Sequence, residues 1–526
     1  MKFKLKKRCL EFIILLYIYC PIILFLFTWV QIWIAALCTL VMLFVGYRFF
    51  RRKSEMEVSV DINYILLLFI ILFFLFIGFC VGWGRWTDQV WDWEKHNAVL
   101  ADLVNKDWPV YYNNKGEISY LSYYIGQYLF PAALGKLTGS FRIAEIAMYI
   151  WCVFGVILVW LNAIRILGFQ GKIMQVLTAF FIPFFSLPRE LAKFVLDIFT
   201  RFSSSDVVFY VDDTMRLEYT DNILLFLYVI PQVIVVWMIL LLFLDNCEKT
   251  NFYLFIMIPG LLYGTFGMMG IIVMAITQCI YNVYRKHNIR KSLHDIFSID
   301  NLFVFSALVP VIVTYLLGNI NVAKPTDVGF RFINYAGDKI IIYIIFVVFN
   351  IITLVLPLFK ENKCNILFYI SVGSLLFLPL CSMGKFNDLM MRASIPSIFF
   401  LLMCILKFLS DHVSTDIIIY DIGHIRNVDK NKQYTMKELR HFLSIIYICI
   451  LLSFGVSYGC KTVIERLANN KINELGTIPS LNGKMPIKSL EQWANRNDED
   501  VAIDQRYNYF AYDYKDDFFY KYIARK

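Results

Sequence analysis

The chain has 526 residues, 59% of them hydrophobic and only 17% charged, and its mean hydropathy is +0.61. A soluble domain carries about 45–50% apolar and about 25% charged residues, so a water-soluble globule of this size is excluded. Apolar runs of about 17–25 residues recur along the chain, the length that crosses a bilayer as a helix, whereas a β-barrel would show short alternating segments. The expected fold class is all-α: a polytopic transmembrane protein with about thirteen spans, interfacial helices on the outer face and a short extracytoplasmic tail.

The N-terminus, MKFKLKKR, is basic and leads into apolar sequence with no small-residue cleavage site, which predicts an uncleaved first span. Residues Cys9 to Phe50 form one apolar stretch of 42 residues, too long for a single crossing. Lys2, Lys4, Lys6, Lys7 and Arg8 precede it, and Arg48, Arg51, Arg52 and Lys53 follow it. Basic residues stay in the cytoplasm, so the stretch is a helical hairpin turning near Trp29–Trp33 with both ends inside. A third span, about Tyr64 to Gly84, runs outward. Further spans are expected near 143–167, 173–187, 222–244, 252–268, 269–284, 302–318, 339–359, 365–381, 393–409 and 442–460. At 252–284, one interrupted helix and two short ones both fit. Arg285, Lys286, Arg290, Lys291, Lys360, Lys363, Arg426, Lys430, Lys432, Lys437 and Arg440 then fall in cytoplasmic loops, as the charge rule requires. Residues 1–460 are therefore expected as the membrane domain and 461–526 as an extracytoplasmic tail. The protein is placed in the cell membrane, N-terminus inside and C-terminus outside.

The 50 basic and 41 acidic residues leave a formal charge of +9, which belongs to such loops and does not point to nucleic acid. The 12 cysteines lie mostly in apolar runs with no CxxC pair, as small buried residues do. No P-loop, no GxGxxG after a strand, no HExxH and no GxSxG is present, so chemistry driven by cytoplasmic ATP has no support.

The outer loops 85–142, 188–221, 319–338 and 382–392 carry the polar inventory. RWTDQVWDWEKHNAVLADL (85–103) sets Asp88, Asp92, Glu94, Lys95 and His96 against the apolar boundary. In a helix, Asp88, Asp92 and His96 share one face. Such a stripe takes a proton from a hydroxyl or holds a divalent ion; the alternative is a solvated helix start with acids near its positive end. His96 is the one histidine placed outside, which excludes a multi-histidine metal site there but leaves an oxygen-rich Mg²⁺ or Mn²⁺ site open. Trp83, Trp86, Trp91, Trp93 and Trp108 suit either an aromatic belt or a platform for a sugar or lipid. In GKFNDLMMRASIP (384–396), Asn387 can cap a helix, Asp388 sits in its first turn and Arg392 lies one turn on, at ion-pairing distance. Lys385, Arg392 and the helix start also suit a phosphate. Asp206, Asp212 and Asp213, with Arg201 and Arg216, form a third polar group.

This layout resembles the GT-C superfamily of polytopic glycosyltransferases. Asp92-Trp93-Glu94 has the DxE form of that family's acidic motif in the first large outer loop. PVYY…YLSYYIGQYLFPAALGKLTG (109–139) is similar to the segment that precedes the family's next span. The resemblance implies transfer of a sugar from a polyprenyl-phosphate donor to an extracytoplasmic glycan or lipid acceptor. It makes Asp92 the general base or a metal ligand, with Glu94 and His96 orienting it or sharing the ion. Trp93 and Asn387, Asp388, Lys385 and Arg392 are expected on the substrate side, the cations holding the lipid phosphate by charge and position. Two spans before the third, and a tail too short for a large soluble domain, depart from the family pattern. A lipid-linked oligosaccharide flippase, or an O-antigen or capsule polymerase, is the alternative.

Overall fold

The computed structural model describes residues 2–51, 59–114, 117–200, 209–212, 215–286, 288–318, 329–335, 337, 339–384, 387–412, 436–469, 472, 489–494, 509–512 and 515–525. Lys385, Asp206, Asp213 and Arg201, with most of the loop 319–338, the loop 413–435 and much of the tail, lie outside the described residues.

The first helices are α1 (Lys7–Trp29), α2 (Ile32–Arg51), α3 (Tyr64–Cys80), α4 (Trp93–Asn105) and α5 (Gly126–Thr138). Next come α6 (Phe141–Ile166), α7 (Lys172–Phe184), α8 (Arg189–Thr200), α9 (Asn222–Tyr228) and α10 (Ile230–Asp245). They are followed by α11 (Tyr253–Met257), α12 (Thr265–Lys286), α13 (Ile289–Ile296) and α14 (Ile299–Leu317). Later helices include Lys339–Val347, Ile366–Phe377, Asp388–Ala393, Ile395–His412 and Met436–Asn469. Among the described residues eight helices are long and apolar enough to cross a membrane: Lys7–Trp29, Ile32–Arg51, Phe141–Ile166, Thr265–Arg285, Ile289–Leu317, Lys339–Asn362, Asp388–His412 and Leu443–Asn469. Five shorter apolar helices, Tyr64–Cys80, Lys172–Phe184, Ile230–Asp245, Thr250–Leu262 and Ile366–Leu380, occupy other stretches expected as spans. The 252–284 region is two helices. A Cβ on Gly260 would lie 2.5 Å from the side-chain ends of Ile239 and Met268, so a larger residue there would have to displace both.

The chain divides into two units. The first comprises Met1–Gly168, Leu224–Gly329 and Val463–Lys526. Its centre is α1, whose Leu10, Ile14, Ile18, Ile22, Phe25 and Trp29 are fully buried, with α2, α5 and α6 packed on it. Beside one end of α1, β1 (Lys2–Leu5) pairs antiparallel with β2 (Val60–Asn63). Asp245 accepts from Lys7 and Arg165, both at 2.8 Å, and so ties α1, α6 and α10 together at that end. At the other end of α1, Val30 bridges Ala524 and the Arg525 amide donates to the Trp29 carbonyl. The two ends of the chain thus meet α1 at its opposite ends. Strands β3 (Tyr111–Asn114) and β4 (Glu117–Leu121) form a hairpin, to which the tail adds Phe510–Ala511 as a third strand. The tail is fastened again where Asp102 accepts from the Leu490 amide at 2.9 Å and from the Tyr112 hydroxyl at 3.0 Å.

The second unit comprises Phe169–Ile223 and Phe330–Thr462. Helix Ile395–His412 is buried along most of its length and packs on Ile366–Phe377 and α7. A hairpin of β5 (Phe209–Asp212) and β6 (Met215–Leu217) leads into α9.

Attachment of the two chain ends to opposite ends of an apolar helix has a direct test. Reporters fused at residues 5 and 290 are expected to read cytoplasmic, and one at the C-terminus extracytoplasmic. A cytoplasmic signal from the C-terminal fusion contradicts this orientation.

Candidate functional site

The segment after α3 is fixed by a turn that few residues could make. Gly82, Gly84 and Arg85 have φ values of 84°, 69° and 58°. A Cβ on Gly82 would lie 2.8 Å from the Asp88 carbonyl oxygen, and one on Gly84 2.8 Å from Tyr149, so both glycines are required by conformation and by space. Arg85 is held in its left-handed conformation by Glu145, at 2.6 Å from Nε and 2.9 Å from Nη2. Arg142 reinforces the turn by donating to the Gly84 carbonyl at 2.7 Å. The Thr87 hydroxyl donates to the Phe79 carbonyl at 2.7 Å, which closes the end of α3.

This turn overrides the helix expected through Asp88. Residues 86–92 are not helical, and α4 begins only at Trp93. Asp88 is half-buried in the extended stretch, off the face on which Asp92 and His96 follow one another, so the three-residue stripe does not form. Asp92 precedes the helix at its N-cap position and is buried. Its Oδ1 accepts from Lys95 at 2.6 Å. Glu94 is half-buried in the first turn, where the helix dipole favours an acid.

Two expected site residues are absorbed by packing. Trp93 is buried, and its indole N–H donates to the Leu227 carbonyl at 2.7 Å, so it offers no face to a sugar. His96 is buried as well, with Nε2 at 3.0 Å from the Tyr228 carbonyl and Nδ1 at 2.5 Å from the Tyr128 hydroxyl. A carbonyl only accepts, so Nε2 carries the proton and Nδ1 accepts from Tyr128. Burial, above all, pushes the Tyr128 phenol well above its ordinary range, and the Asp92 carboxylate adds to this, so Tyr128 remains a donor. With both ring nitrogens engaged, His96 positions α4 against α5 and α9.

Sequence reading missed one cation here. Arg466, near the end of helix Met436–Asn469, donates from Nη2 to the Asp88 carbonyl across 378 positions of chain. Among the described residues its buried Nε has no hydrogen-bond acceptor. Nothing local in the sequence around Arg466 signals this contact. Of the aromatic residues, Trp91 is the exposed one beside the acids, with the Lys95 ammonium 5.9 Å from its ring centre.

The residues do not suit a divalent cation. Among the described residues no three His, Cys, Asp or Glu side chains gather as ligands. Asp92 is already engaged by an ammonium, which repels a metal ion.

In the second unit, Asn387 and Asp388 do what their spacing predicts. Asn387, at φ 60°, accepts from the Met390 amide as the helix cap, and Asp388 lies in the first turn. Asp388 and Arg392 form an i,i+4 ion pair at 2.8 Å. Asn387 is buried and donates to the Cys381 carbonyl at 3.1 Å, so its polar groups serve the local fold. Among the described residues the buried acids of the 188–221 loop are Glu218 and Asp221, which the sequence reading did not single out. Asp221 accepts from Ser186 and lies 3.1 Å from Arg189 Nη2; Glu218 lies 3.6 Å from Arg189 and 3.3 Å from Arg216. Burial pushes the Asp221 carboxyl up to about 6, against the pull of Arg189 and Ser186.

No protein-family model, no curated protein and no solved structure matches this chain.

Two outcomes are expected from these contacts. Tyr128→Phe strands a buried acceptor on His96 and should lower unfolding stability by about 1–3 kcal/mol; an unchanged denaturation midpoint contradicts the pairing. Asp221 titrates near 6 in the fold and near 3.8 otherwise. The stability it contributes is therefore present below its unfolded value and lost as pH rises through about 6. Melting of the wild type should lose ground to Asp221→Asn between about pH 5 and pH 7. A difference that stays constant over that range rules the shift out.

Proposed function

We propose that this chain is a membrane glycosyltransferase that moves a sugar from a polyprenyl-phosphate donor onto an extracytoplasmic glycan or lipid acceptor. In this proposal the five shorter apolar helices also cross the bilayer, giving about thirteen spans. The segment 88–96 then faces the side opposite the N-terminus. The observation that carries the proposal is the meeting of Arg466 with the acidic segment. A carboxylate and two cations, Asp92, Lys95 and Arg466, belong to one unit and one stretch of fold.

Glycosyl transfer needs a base for the acceptor and positive charge for the leaving group. The acceptor oxygen attacks the anomeric carbon, and its proton passes to the Asp92 carboxylate. The bond from that carbon to the phosphate oxygen breaks, and its electron pair leaves with the lipid phosphate. Lys95 holds the Asp92 carboxylate in position and, with Arg466, offsets the charge that develops on the phosphate. Arg466 has a buried N–H with no acceptor among the described residues, a donor that a phosphate oxygen would satisfy. Glu94, at the positive end of α4, and Trp91, exposed beside it, are placed to meet sugar hydroxyls and a sugar face. In the second unit, taken by itself, Lys385 and Arg392 are candidates for binding a lipid phosphate, a role Arg392 takes only by giving up Asp388.

Transfer by purified protein in lipid should fall about 10²–10⁴-fold for Asp92→Asn, the usual scale for losing a general base. Arg466→Lys keeps the charge but loses the planar fork, so it should retain more activity than Arg466→Gln. A folded Asp92→Asn protein that turns over at the wild-type rate removes Asp92 from the chemistry.

A further inference from the structure

The apolar stretch Ile289–Leu317 is broken between α13 and α14, so the short helix α13 does not run straight into the crossing that follows it. Ser298, with ψ 157°, breaks the helix after Phe297 and caps α14 by accepting from the Asn301 amide. Helix α14 alone has 19 residues, enough to cross a bilayer of about 30 Å hydrocarbon thickness. The eight residues of α13 are thus left outside that crossing. They are nonetheless held firmly. Asn288 caps the N-terminus by accepting from the Lys291 amide at 3.0 Å, and Asn301 donates to the Ile296 carbonyl at 2.9 Å. Ser292, 3% exposed, faces the protein.

The helix surface away from Ser292 sorts into two strips. Ile289, Leu293 and Phe297 follow at a four-residue spacing, on one side of the helix, and are 64%, 45% and 65% exposed. Ile280 and Tyr284 on α12 and Ile299 and Leu302 on α14 are exposed apolar residues as well. Arg290, Lys291 and His294, all exposed, occupy the neighbouring strip, with Asp295 beyond them. A fixed helix with bare apolar side chains on one strip and cations on the next suits the boundary between acyl chains and headgroups. Water on the apolar strip would cost free energy, and a zwitterionic headgroup leaves the cations uncompensated.

We propose that α13 is a docking surface for anionic phospholipid. Ile289, Leu293 and Phe297 enter the acyl region, and Arg290 and Lys291 bind headgroup phosphates. Each such cation near an anionic leaflet strengthens association about fivefold, the equivalent of about 1 kcal/mol. The proposal is independent of the glycosyl-transfer chemistry and of which leaflet carries the negative charge.

Hydrogen–deuterium exchange of the full chain in lipid nanodiscs reads α13 directly. Amides of residues 289–297 should exchange several-fold more slowly with phosphatidylglycerol present than in phosphatidylcholine alone. The double variant Arg290→Gln/Lys291→Gln should lose that difference while the amides of α6 stay unchanged. Leu293→Asp should speed exchange at α13 in both lipids. Equal exchange of the wild type in the two lipids overturns the proposal. So does protection that appears only when other membrane proteins are added, since the occupant would then be a protein.

Discussion

A carboxylate buried at the end of an apolar helix must find a cation or a donor, and the first unit is organised by the places where its carboxylates do so. Asp245 gathers Lys7 and Arg165, Asp300 takes Arg48 at 2.7 Å, and Glu145 takes Arg85 and Arg142. Removing one member of the buried Arg85–Glu145 pair leaves a charge without its partner in a low dielectric and costs about 3–5 kcal/mol; the Arg48–Asp300 pair, whose arginine is solvent-exposed, is worth less. These pairs therefore fix which helices meet. Asp245 joins α1, α6 and α10; Asp300 joins α2 and α14; Glu145 holds the turn from which the acidic segment emerges. Asp221, with Arg189 and Ser186, has the same construction in the second unit.

The candidate site depends on the Glu145 node. With Gly82, Gly84 and Arg85 fixed, residues 86–92 leave α3 as an extended strap rather than a helix, and Asp92 arrives just before α4 with Lys95 on it. Trp93, His96 and Tyr128 then anchor α4 through its buried face, which leaves Trp91 and Glu94 accessible and brings the Asp88 carbonyl to Arg466. The tail supports the arrangement from the other side. Asp102 on α4 accepts from the Leu490 amide, and Tyr509 and Phe510 pair with the segment that leads into α5.

Local patterns were legible in the sequence. Uninterrupted apolar runs mark the helices, and Asn387 with Asp388 and Arg392 marks a capped helix start, because cap, first-turn acid and i,i+4 pair all lie within six residues. Among the described residues no disulfide joins any of the 12 cysteines, which are scattered through the apolar runs. What could not be read depends on partners far away in the chain. The acceptors for Trp93 and His96 are carbonyls of Leu227 and Tyr228, and Arg466 meets Asp88 across 378 positions. Asp88 lies off the helix for a different reason, since helical periodicity carries no record of the left-handed residues Gly82, Gly84 and Arg85 upstream. The division into two units is equally hidden, each being assembled from discontinuous segments.

Glycosyl transfer differs from lipid-linked sugar transport in a single bond, the one between the sugar and the phosphate. The most direct measurement reconstitutes the full chain in vesicles with a polyprenyl-phosphate-linked sugar labelled on the sugar, and follows both the label and the free lipid phosphate. The account predicts that the label moves to an acceptor as polyprenyl phosphate is released in equal amount. Donor that crosses the bilayer with its sugar still attached, and no lipid phosphate set free, would contradict it.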